Sequence, residues 1–453
     1  MAEELRTVRS TVSICPDCMR EVPGAVMAGK DGAWLVRTCP DHGEYRFPLS
    51  RHGEAYADLD RFFFDVIEGR RAAGRITNYW VFLTNRCQQK CPYCSVNTDS
   101  PFHDDMKEED FRQALREYRG TKLTLSGGEP TMHPQCLDFF REARKMGVAT
   151  QLATNGLRLA DLEFCRQLKE AGVTEVRISM EYWDEGLPDT TGMAHHREQK
   201  RKAVENCLRA GIPVILSPTL LKGCNERTLL ETLAYAADRP EIKELSVNGF
   251  SWNGSGTGLA RDLMIMPDEM VDVIHGEYGG DRESYFTLAK TMFAALHLLN
   301  IRLCLNTQVL VFVRRREGMR PVNEFLNMRG MKRGVAAWER FARAPRAVSL
   351  AAFCACMLPA LSLRTVPLLW SLALLVFSNL SRIKIHRYPA RLLPVVLNTN
   401  CSPLNADNDI VPRCMSGNLF MSGGKLTEGM SALTLRNRVH RADGDAPAKH
   451  RGE

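Results

Sequence analysis

The sequence is short of long, uninterrupted apolar segments. Its two longest apolar stretches cover 17 and 15 residues, at 347–363 and 366–380, and each contains a proline. A helix that crosses a bilayer needs about 20 apolar residues. The first residues form no apolar segment of the secretory type, and no internal repeat is visible. We therefore expect a cytoplasmic protein and not a polytopic membrane protein.

A large charge imbalance is also missing. The 453 residues carry a net charge of +7, with 44% apolar and 25% charged residues, as in an ordinary globular protein. So small an excess does not indicate nucleic-acid binding. The length allows one large domain with small appendages, or two to three domains.

Cysteine, in contrast, is abundant, with 15 residues and several short spacings. Short spacings in a reducing compartment indicate metal sites or clusters. Cys87, Cys91 and Cys94 follow a strand-like apolar segment with the spacing CxxxCxxC. Three soft ligands on one loop are typical of an iron–sulfur cluster, and they leave one iron of a cubane without a protein ligand.

Residues 75–315 alternate strand-like and helix-like segments about six times. This rhythm predicts a parallel sheet, in either a doubly wound or a barrel arrangement. In both arrangements the carboxyl ends of the strands form the site. Polar residues and two glycines lie at or near these ends. They are Ser126, Gly127, Gly128 and Glu129 on the second strand, Asn155 on the third and Ser179 on the fourth.

Two knuckles precede this region. Cys15 and Cys18 form a CxxC pair, Cys39 and His42 form a CxxH pair, and a short hairpin-like stretch separates them. One pair from each β-turn can close a tetrahedral metal site. Rubredoxin-type iron normally uses four thiolates, so the histidine favours zinc over iron.

The cysteine spacing, the aromatic residue before the last cysteine and the SGGEP segment about thirty residues later resemble the radical S-adenosylmethionine (SAM) superfamily. The resemblance implies a partial (β/α)6 barrel and a [4Fe–4S] cluster whose open iron chelates SAM. It also implies a 5′-deoxyadenosyl radical that removes hydrogen from a substrate, and a reductant such as ferredoxin or flavodoxin.

The resemblance assigns one group of residues to SAM, with a turn-capping or sheet role as the alternative for Asn155 and Ser179. The group comprises Tyr93, Ser126, Gly127, Gly128, Glu129, Asn155, Ser179 and Arg197. Cys224, on the fifth loop, is a candidate donor of a hydrogen atom.

With its N-terminal knuckles, the chain resembles a family that includes archaeal tetraether lipid synthase and enzymes described as methyltransferases of a hydroxymethyl-dihydropterin. Members carry auxiliary clusters towards their C-terminus, and Cys401 and Cys414 match that region. The segments SMEYWDE and NGFSWNGSG depart from the family pattern where substrate is expected. The substrate therefore does not transfer with the resemblance.

Basic residues precede the two apolar stretches, which favours attachment to the surface of an anionic membrane. Buried core helices are the alternative. We expect five regions: an N-terminal metal-binding domain at 1–70, a radical SAM core at 71–315, a basic and apolar helical segment at 316–381, an auxiliary region at 382–424 and a disordered tail at 425–453.

Three functions are open at this point. The first is hydrogen abstraction from an apolar, lipid-like substrate, followed by carbon–carbon bond formation or alkylation. The second is transfer of a one-carbon unit to a small heterocycle such as a pterin, with the apolar stretch as plain core. The third is an iron–sulfur electron-transfer protein without SAM chemistry, which the SGGE segment argues against.

Overall fold

Two sheets organise the chain in a computed structural model. It describes residues 5–67, 78–95, 105–183, 189, 192, 194–301, 304–373, 390–410, 416–419 and 426–427. Cys414 and almost all of the charged tail lie outside these residues, so the predictions for them are not addressed by the structure.

The smaller sheet is an antiparallel meander of four strands in chain order. The strands are β1 (Arg6–Ile14), β2 (Glu21–Ala28), β3 (Ala33–Cys39) and β4 (Gly43–Ser50). Burial alternates along β3, as expected of a sheet with one covered face. The helix α1 (Gly53–Arg61) and a π-helical turn at Phe62–Ile67 follow directly.

The larger sheet is built around six parallel strands with a helix in each crossover. In chain order the elements are β5 (Asn78–Thr84), α2 (Glu108–Glu117), β6 (Lys122–Gly127), α3 (Cys136–Lys145), β7 (Thr150–Thr154), α4 (Leu162–Ala171), β8 (Glu175–Ile178), α5 (Arg197–Arg209), β9 (Val214–Leu216), β10 (Thr219–Leu220), α6 (Arg227–Ala237) and β11 (Ile242–Gly249). The strands β5, β6, β7, β8, β9 and β11 pair successively in parallel. The predicted sixfold repeat is confirmed, and the path of described strands is open at both ends.

The rest of the chain extends this sheet and covers one end of it. The elements are α7 (Pro267–Tyr278), α8 (Arg282–Leu298), β12 (Thr307–Arg315), β13 (Gly318–Pro321), α9 (Met328–Trp338), α10 (Arg346–Met357), β14 (Leu392–Thr399), β15 (Ser416–Leu419) and β16 (Leu426–Thr427). The strand β14 lies between β11 and β12, parallel to the first and antiparallel to the second.

The predicted boundaries at 315 and 381 differ from this arrangement. The hairpin of β12 and β13 crosses the first boundary, and β14, from the expected auxiliary region, is an inner strand of the main sheet. The physical reason is that β14 is buried along most of its length, which suits a strand covered on both faces.

The apolar segment forms short helical pieces. Up to residue 373, where the described part of this segment ends, α10 is the longest helical piece, and most of its side chains are exposed or partly exposed. The alternative of buried core helices therefore does not hold for the part of this segment that the structure describes. Within the described residues, no helix has both the length and the apolar composition to cross a membrane.

Salt bridges of Arg9 connect the small sheet to the rest of the chain. Its guanidinium lies 3.2 Å from the carboxylate of Asp60, 2.6 Å from that of Asp407 and 2.7 Å from that of Asp409. The Asp60 and Asp407 side chains are almost fully buried. Burial raises the pKa of Asp60, against the hydrogen bond from Arg9. One arginine thus holds three carboxylates at the junction of the two sheets.

Replacing Arg9 with Met should lower the free energy of unfolding by about 3–5 kcal/mol, because two buried carboxylates would lose their cation. The matched control is Arg6→Met on the same strand, whose partner Glu54 is exposed, and which should destabilise the protein far less, because solvent screens the pair. Urea unfolding of the zinc-loaded protein measures both. Equal losses for the two variants would contradict this account of the junction.

Candidate functional site

The three-cysteine loop begins where β5 ends. Within it the amide of Cys94 donates to the carbonyl of Cys91 at 3.1 Å. The sulfur of Cys87 accepts from the amide of Gln89 at 3.4 Å and lies 3.8 Å from Nδ2 of Asn155. N–H groups directed at a cysteine sulfur are typical of iron–sulfur ligands, since they stabilise the thiolate.

The loop also fits the electrostatic needs of a cluster. Burial raises the pKa of Cys87 to about 11 and that of Cys91 to about 12, so these thiols need a positive partner to ionise. The Nε2 atom of Gln89 is buried without a hydrogen-bond partner among the described residues, while its Oε1 lies 3.8 Å from the Cys91 sulfur. A rotated carboxamide would direct that N–H at the ligand sulfur. Three thiolates with such donors suit a [4Fe–4S] cluster.

The Gly127-Gly128 segment holds this loop against the sheet. The amide of Gly128 donates to the carbonyl of Thr84 at 2.8 Å, and the amide of Glu129 donates to that of Arg86 at 2.7 Å. Gly127 has a φ of +146°, and a Cβ on it would lie 2.2 Å from the Thr84 oxygen. A Cβ on Gly128 would lie 2.5 Å from the Arg86 oxygen. Only glycine permits this approach of two backbones.

Glu129 is fully buried, and both of its oxygens are in use. One accepts from the amide and hydroxyl of Thr131 at 3.1 and 2.5 Å and from the Thr154 hydroxyl at 2.8 Å. The other accepts from the Asn155 amide at 2.8 Å. Burial raises the pKa of Glu129, and these bonds oppose the rise. The Glu129 carboxylate links the end of β6 to the end of β7 through these hydrogen bonds. To bind this carboxylate, the SAM amino group would therefore have to compete with the four donors.

A buried ion pair beside the loop was not foreseen from the sequence. Lys200 donates to the carboxylate of Glu181 at 2.5 Å and to the hydroxyl of Ser179 at 3.1 Å. Both charged side chains are 3% exposed. Both charges act on Cys91 through space: the Glu181 carboxylate raises the pKa of the thiol, and the Lys200 ammonium lowers it. Tyr93 is hydrogen-bonded to the same thiol. The sequence did contain a signal for this pair, because Lys200 lies at a position of α5 where the helical periodicity predicts a buried apolar residue.

Most of the predicted site residues gather at the carboxyl edge of the parallel strands. Ser126 lies on β6 opposite Phe82 of β5. Arg197 opens α5, with its Nε 4.0 Å from the carboxylate of Glu198. Cys224 lies in the loop after β10 and packs partly against the core. The structure therefore places these side chains on the expected edge, and their individual roles remain predictions.

Cys401 belongs to the same edge, because it follows the parallel strand β14. Its sulfur lies 4.0 Å from Nδ2 of Asn306, and its carbonyl accepts from Nδ2 of Asn253 at 2.8 Å. The amide of Gly256 in turn donates to the carbonyl of Cys94 at 3.3 Å. The loop around 253–256 thus joins the three-cysteine loop to Cys401, while its predicted partner Cys414 lies outside the described residues.

The N-terminal knuckles bring four ligand atoms together. The donor atoms of Cys15, Cys18, Cys39 and His42 all lie within 4.8 Å of one another. Two sulfurs, those of Cys18 and Cys39, are 3.8 Å apart. The Nδ1 atom of His42 is 3.7 Å from the Cys15 sulfur and 3.4 Å from that of Cys39. The hydrogen bond with His42 lowers the pKa of Cys39 to about 6.

These separations match a tetrahedral zinc site. With Zn–S bonds of about 2.3 Å and Zn–N bonds of about 2.0–2.1 Å, a tetrahedron places two sulfurs about 3.8 Å apart and a sulfur and a nitrogen about 3.6 Å apart. The donor set of three thiols and one imidazole is one that structural zinc takes. The residues present therefore fit the metal that the two knuckles imply.

Comparison with known proteins supports both halves of the site. Residues 81–236 match the family model of the Radical SAM superfamily. The chain contains a radical SAM domain. Residues 7–51 match the model described as the HMPTM N-terminal zinc ribbon domain. The two matched segments contain, respectively, the three-cysteine loop with the Gly127-Gly128 segment, and the four knuckle ligands.

Several curated relatives share part of this chain. A 7,8-dihydro-6-hydroxymethylpterin dimethyltransferase of Methanocaldococcus jannaschii is 27% identical over 266 residues, which are 52% of this chain and 51% of the relative. A probable GTP 3′,8-cyclase of Pyrococcus abyssi is 28% identical over 173 residues, 38% of this chain and 56% of the relative. The chain spans about half the length of these curated relatives.

A similar solved structure is that of Streptococcus suis SuiB bound to S-adenosylmethionine. It is 12% identical, with a TM-score of 0.35, and covers 59% of this chain and 69% of its own. At that level of likeness it carries no argument about the site.

Replacing Gly128 with Ala should remove most of the bound iron, because the new methyl group would collide with carbonyls of the three-cysteine loop. The control is Gly258→Ala, where a Cβ meets nothing within 4 Å. Iron and acid-labile sulfide per chain after anaerobic reconstitution are the readouts. An unchanged iron content in the Gly128 variant would show that the loop does not depend on this contact.

Replacing His42 with Ala should abolish stoichiometric zinc and open the knuckles, since a structural zinc site stabilises the fold around it. Zinc is measured by elemental analysis together with thermal unfolding. Cys354→Ser, at an exposed cysteine outside both sites, is the control and should keep its zinc. Full zinc content in the His42 variant would exclude this imidazole as a ligand.

Proposed function

We propose that this chain is a radical SAM enzyme that acts at an unreactive carbon and forms a carbon–carbon bond or adds an alkyl group there. Cys87, Cys91 and Cys94 hold the cluster, and the N-terminal knuckles hold zinc. With SAM bound, a [4Fe–4S] cluster held there would supply one electron to the sulfonium, so that its C5′–S bond would break to give methionine and a 5′-deoxyadenosyl radical. The proposal is supported above all by the direct backbone attachment of Gly127-Gly128 to the three-cysteine loop.

The chain's own residues orient and shield the site. Gln89 and Asn155 direct N–H groups at the Cys87 sulfur, which keeps that ligand in one orientation. Tyr93, which precedes Cys94 in the loop, is itself buried, with 8% of its surface exposed. The buried pair of Lys200 and Glu181 places a cation and a carboxylate within electrostatic range of Cys91. These groups exclude water and fix charge around the position where the cofactor binds.

An apolar, lipid-like substrate is our first candidate. It is supported by the exposed apolar side chains that the chain carries from α10 onward, among them Leu363 and Trp370. Exposed apolar surface of this kind is typical of a protein that meets lipid or another apolar partner. Coupling or alkylation of such a chain requires hydrogen abstraction from carbon without polar activation, which suits a radical mechanism.

A small heterocycle such as a pterin is the second candidate. It is favoured by the name of the Methanocaldococcus jannaschii relative, a dimethyltransferase of a hydroxymethyl-dihydropterin. It is also favoured by the zinc ribbon at residues 7–51, of the type described as HMPTM N-terminal. For this candidate the reaction would be transfer of a one-carbon unit to the ring or its side chain.

A reductant and an auxiliary cluster complete the proposal. The reaction needs a one-electron donor of low potential, and ferredoxin or flavodoxin is the class that we expect. Cys401 lies on the site edge and is joined through the loop around 253–256 to Cys94. We assign Cys401, with Cys414, to a second cluster.

The test is formation of 5′-deoxyadenosine from SAM and dithionite by the reconstituted full chain, read by mass spectrometry. Cys91→Ala should lower product at least about a hundredfold, since it removes a cluster ligand, while Cys354→Ser should leave it unchanged. No product from the wild-type chain, with a cluster spectrum that ignores SAM, would overturn the proposal and leave the electron-transfer alternative.

The substrate class is decided by isotope transfer. Deuterated acyl lipid and deuterated 6-hydroxymethyl-7,8-dihydropterin are supplied in separate reactions. Deuterium in 5′-deoxyadenosine identifies the compound from which hydrogen is taken. Deuterium from the lipid supports the first candidate, and deuterium from the pterin replaces it with the second.

A further inference from the structure

The helix α10 has an unusual pattern of burial. Its sequence, RAVSLAAFCACM, is apolar, yet the one fully buried residue among its 12 is Ser349. The carbonyl and hydroxyl oxygens of Ser349 accept from the indole N–H of Trp338 at 3.0 and 3.2 Å. The polar side chain therefore faces inward, and apolar side chains are left outside.

The exposed apolar residues continue past the helix and are concentrated in one segment of the chain. Eight of the twelve large hydrophobic residues exposed among the described residues lie between 348 and 370. They are Val348, Leu350, Leu358, Leu361, Leu363, Val366, Leu369 and Trp370, and Leu363 and Trp370 are 92% and 74% exposed. We call these eight side chains the apolar surface. Such residues are normally scattered singly, so their concentration indicates a contact surface.

Backbone packing fixes the orientation of α10, which carries Val348 and Leu350 of the apolar surface. Two glycines of α9, Gly330 and Gly334, lie against the backbone at the end of α10. A Cβ on Gly330 would be 1.9 Å from the Pro359 oxygen, and one on Gly334 would be 2.1 Å from the Cys356 oxygen. Because this side of α10 is in backbone contact, the helix cannot rotate without separating from α9. The orientation of its apolar side chains is thus fixed by close packing.

The chain segment that carries the apolar surface has charged residues of one sign. Residues 340–406 contain no aspartate or glutamate, but seven arginines and one lysine. Arg364 is exposed between Leu363 and Val366, and Arg340, Arg343 and Arg346 precede or open α10. The arginines complement the phosphates of an anionic bilayer. The apolar side chains complement the acyl chains beneath those phosphates. A protein partner would need acidic residues around an apolar centre to match the same pattern.

We propose that residues 348–370 dock this protein onto the surface of an anionic bilayer. Leu363 and Trp370 enter the boundary between headgroups and acyl chains, and Arg364 stays at the phosphates. At 12 residues α10 is about 18 Å long, too short to cross a hydrocarbon core of about 30 Å. The helix therefore lies along the interface. This inference goes beyond the proposed function, and its test requires neither cluster nor SAM.

The test is vesicle flotation of the full chain. Phosphatidylcholine vesicles are compared with vesicles of phosphatidylcholine and phosphatidylglycerol at a ratio of 7:3. We expect binding to the anionic vesicles that weakens with salt. The double variant Leu363→Ser with Trp370→Ser should partition at least about tenfold less, since it removes two inserted side chains. Both side chains are exposed, so folding, checked by zinc content and circular dichroism, should be unchanged.

Matched controls distinguish membrane binding through the apolar surface from nonspecific hydrophobic binding elsewhere on the protein. Val12→Ser with Met146→Ser removes two other exposed apolar side chains and should leave partition unchanged. Arg364→Gln should weaken binding about fivefold, whereas Arg166→Gln, on α4, should not. Brominated lipid should quench the fluorescence of the wild-type chain more than that of Trp370→Phe.

Two outcomes would overturn the inference. The first is equal, weak binding of the wild-type chain and the double variant to anionic vesicles. The second is a change of oligomeric state in the double variant, seen by sedimentation velocity, with vesicle binding unaltered. That result would make the apolar surface an interface between copies of this chain. Neither outcome depends on whether the radical chemistry occurs, so failure here leaves the proposed radical SAM activity intact and removes only the exposed apolar side chains as support for a lipid-like substrate.

Discussion

The site depends on two stretches of backbone that lie closer together than any side chain would allow. Gly127 and Gly128 pass directly against the carbonyls at the end of β5, and two amide hydrogen bonds close the contact. The cysteine loop starts at this contact, so the positions of all three thiols follow from it. Glu129 then extends the attachment to β7 through Thr154 and Asn155. The position of a cluster bound here would therefore be determined by backbone contacts more than by side-chain packing.

Local signals in the sequence were sufficient for much of this arrangement. The sixfold repeat, the three-cysteine loop and the knuckle ligands follow from periodicity or from short spacings in the sequence. The structure confirms the sixfold repeat, and the family comparisons match a radical SAM segment and a zinc ribbon. Long-range relations were not accessible in the same way. The position of β14 depends on which strands it pairs with, and the pair of Lys200 with Glu181 joins two elements that the sequence does not show to be adjacent. The apolar composition of α10 likewise does not specify which face is covered.

The knuckle end of the small sheet buries little apolar material of its own, whereas Val26, Leu35 and Phe47 of the same sheet belong to the main core. Around the knuckles the buried cluster consists of Cys15, Val22 and Cys39, with Cys18 and Tyr45 packed against it. Two of these three buried residues are candidate metal ligands. So small a cluster does not hold the two knuckles together by itself, and a bound ion would supply there what side-chain burial lacks. The metal is in this sense part of the core of the N-terminal region.

The salt bridges at Arg9 have a consequence for how the chain is made. Arg9 and Asp407 are 398 residues apart in the sequence. At about 5–20 residues per second, a ribosome needs roughly 20–80 s to add the intervening chain. The N-terminal sheet is therefore synthesised long before its docking partner exists. During that interval its cohesion rests on its own strands and its four metal ligands, so early capture of zinc would protect the nascent chain until its last strands arrive.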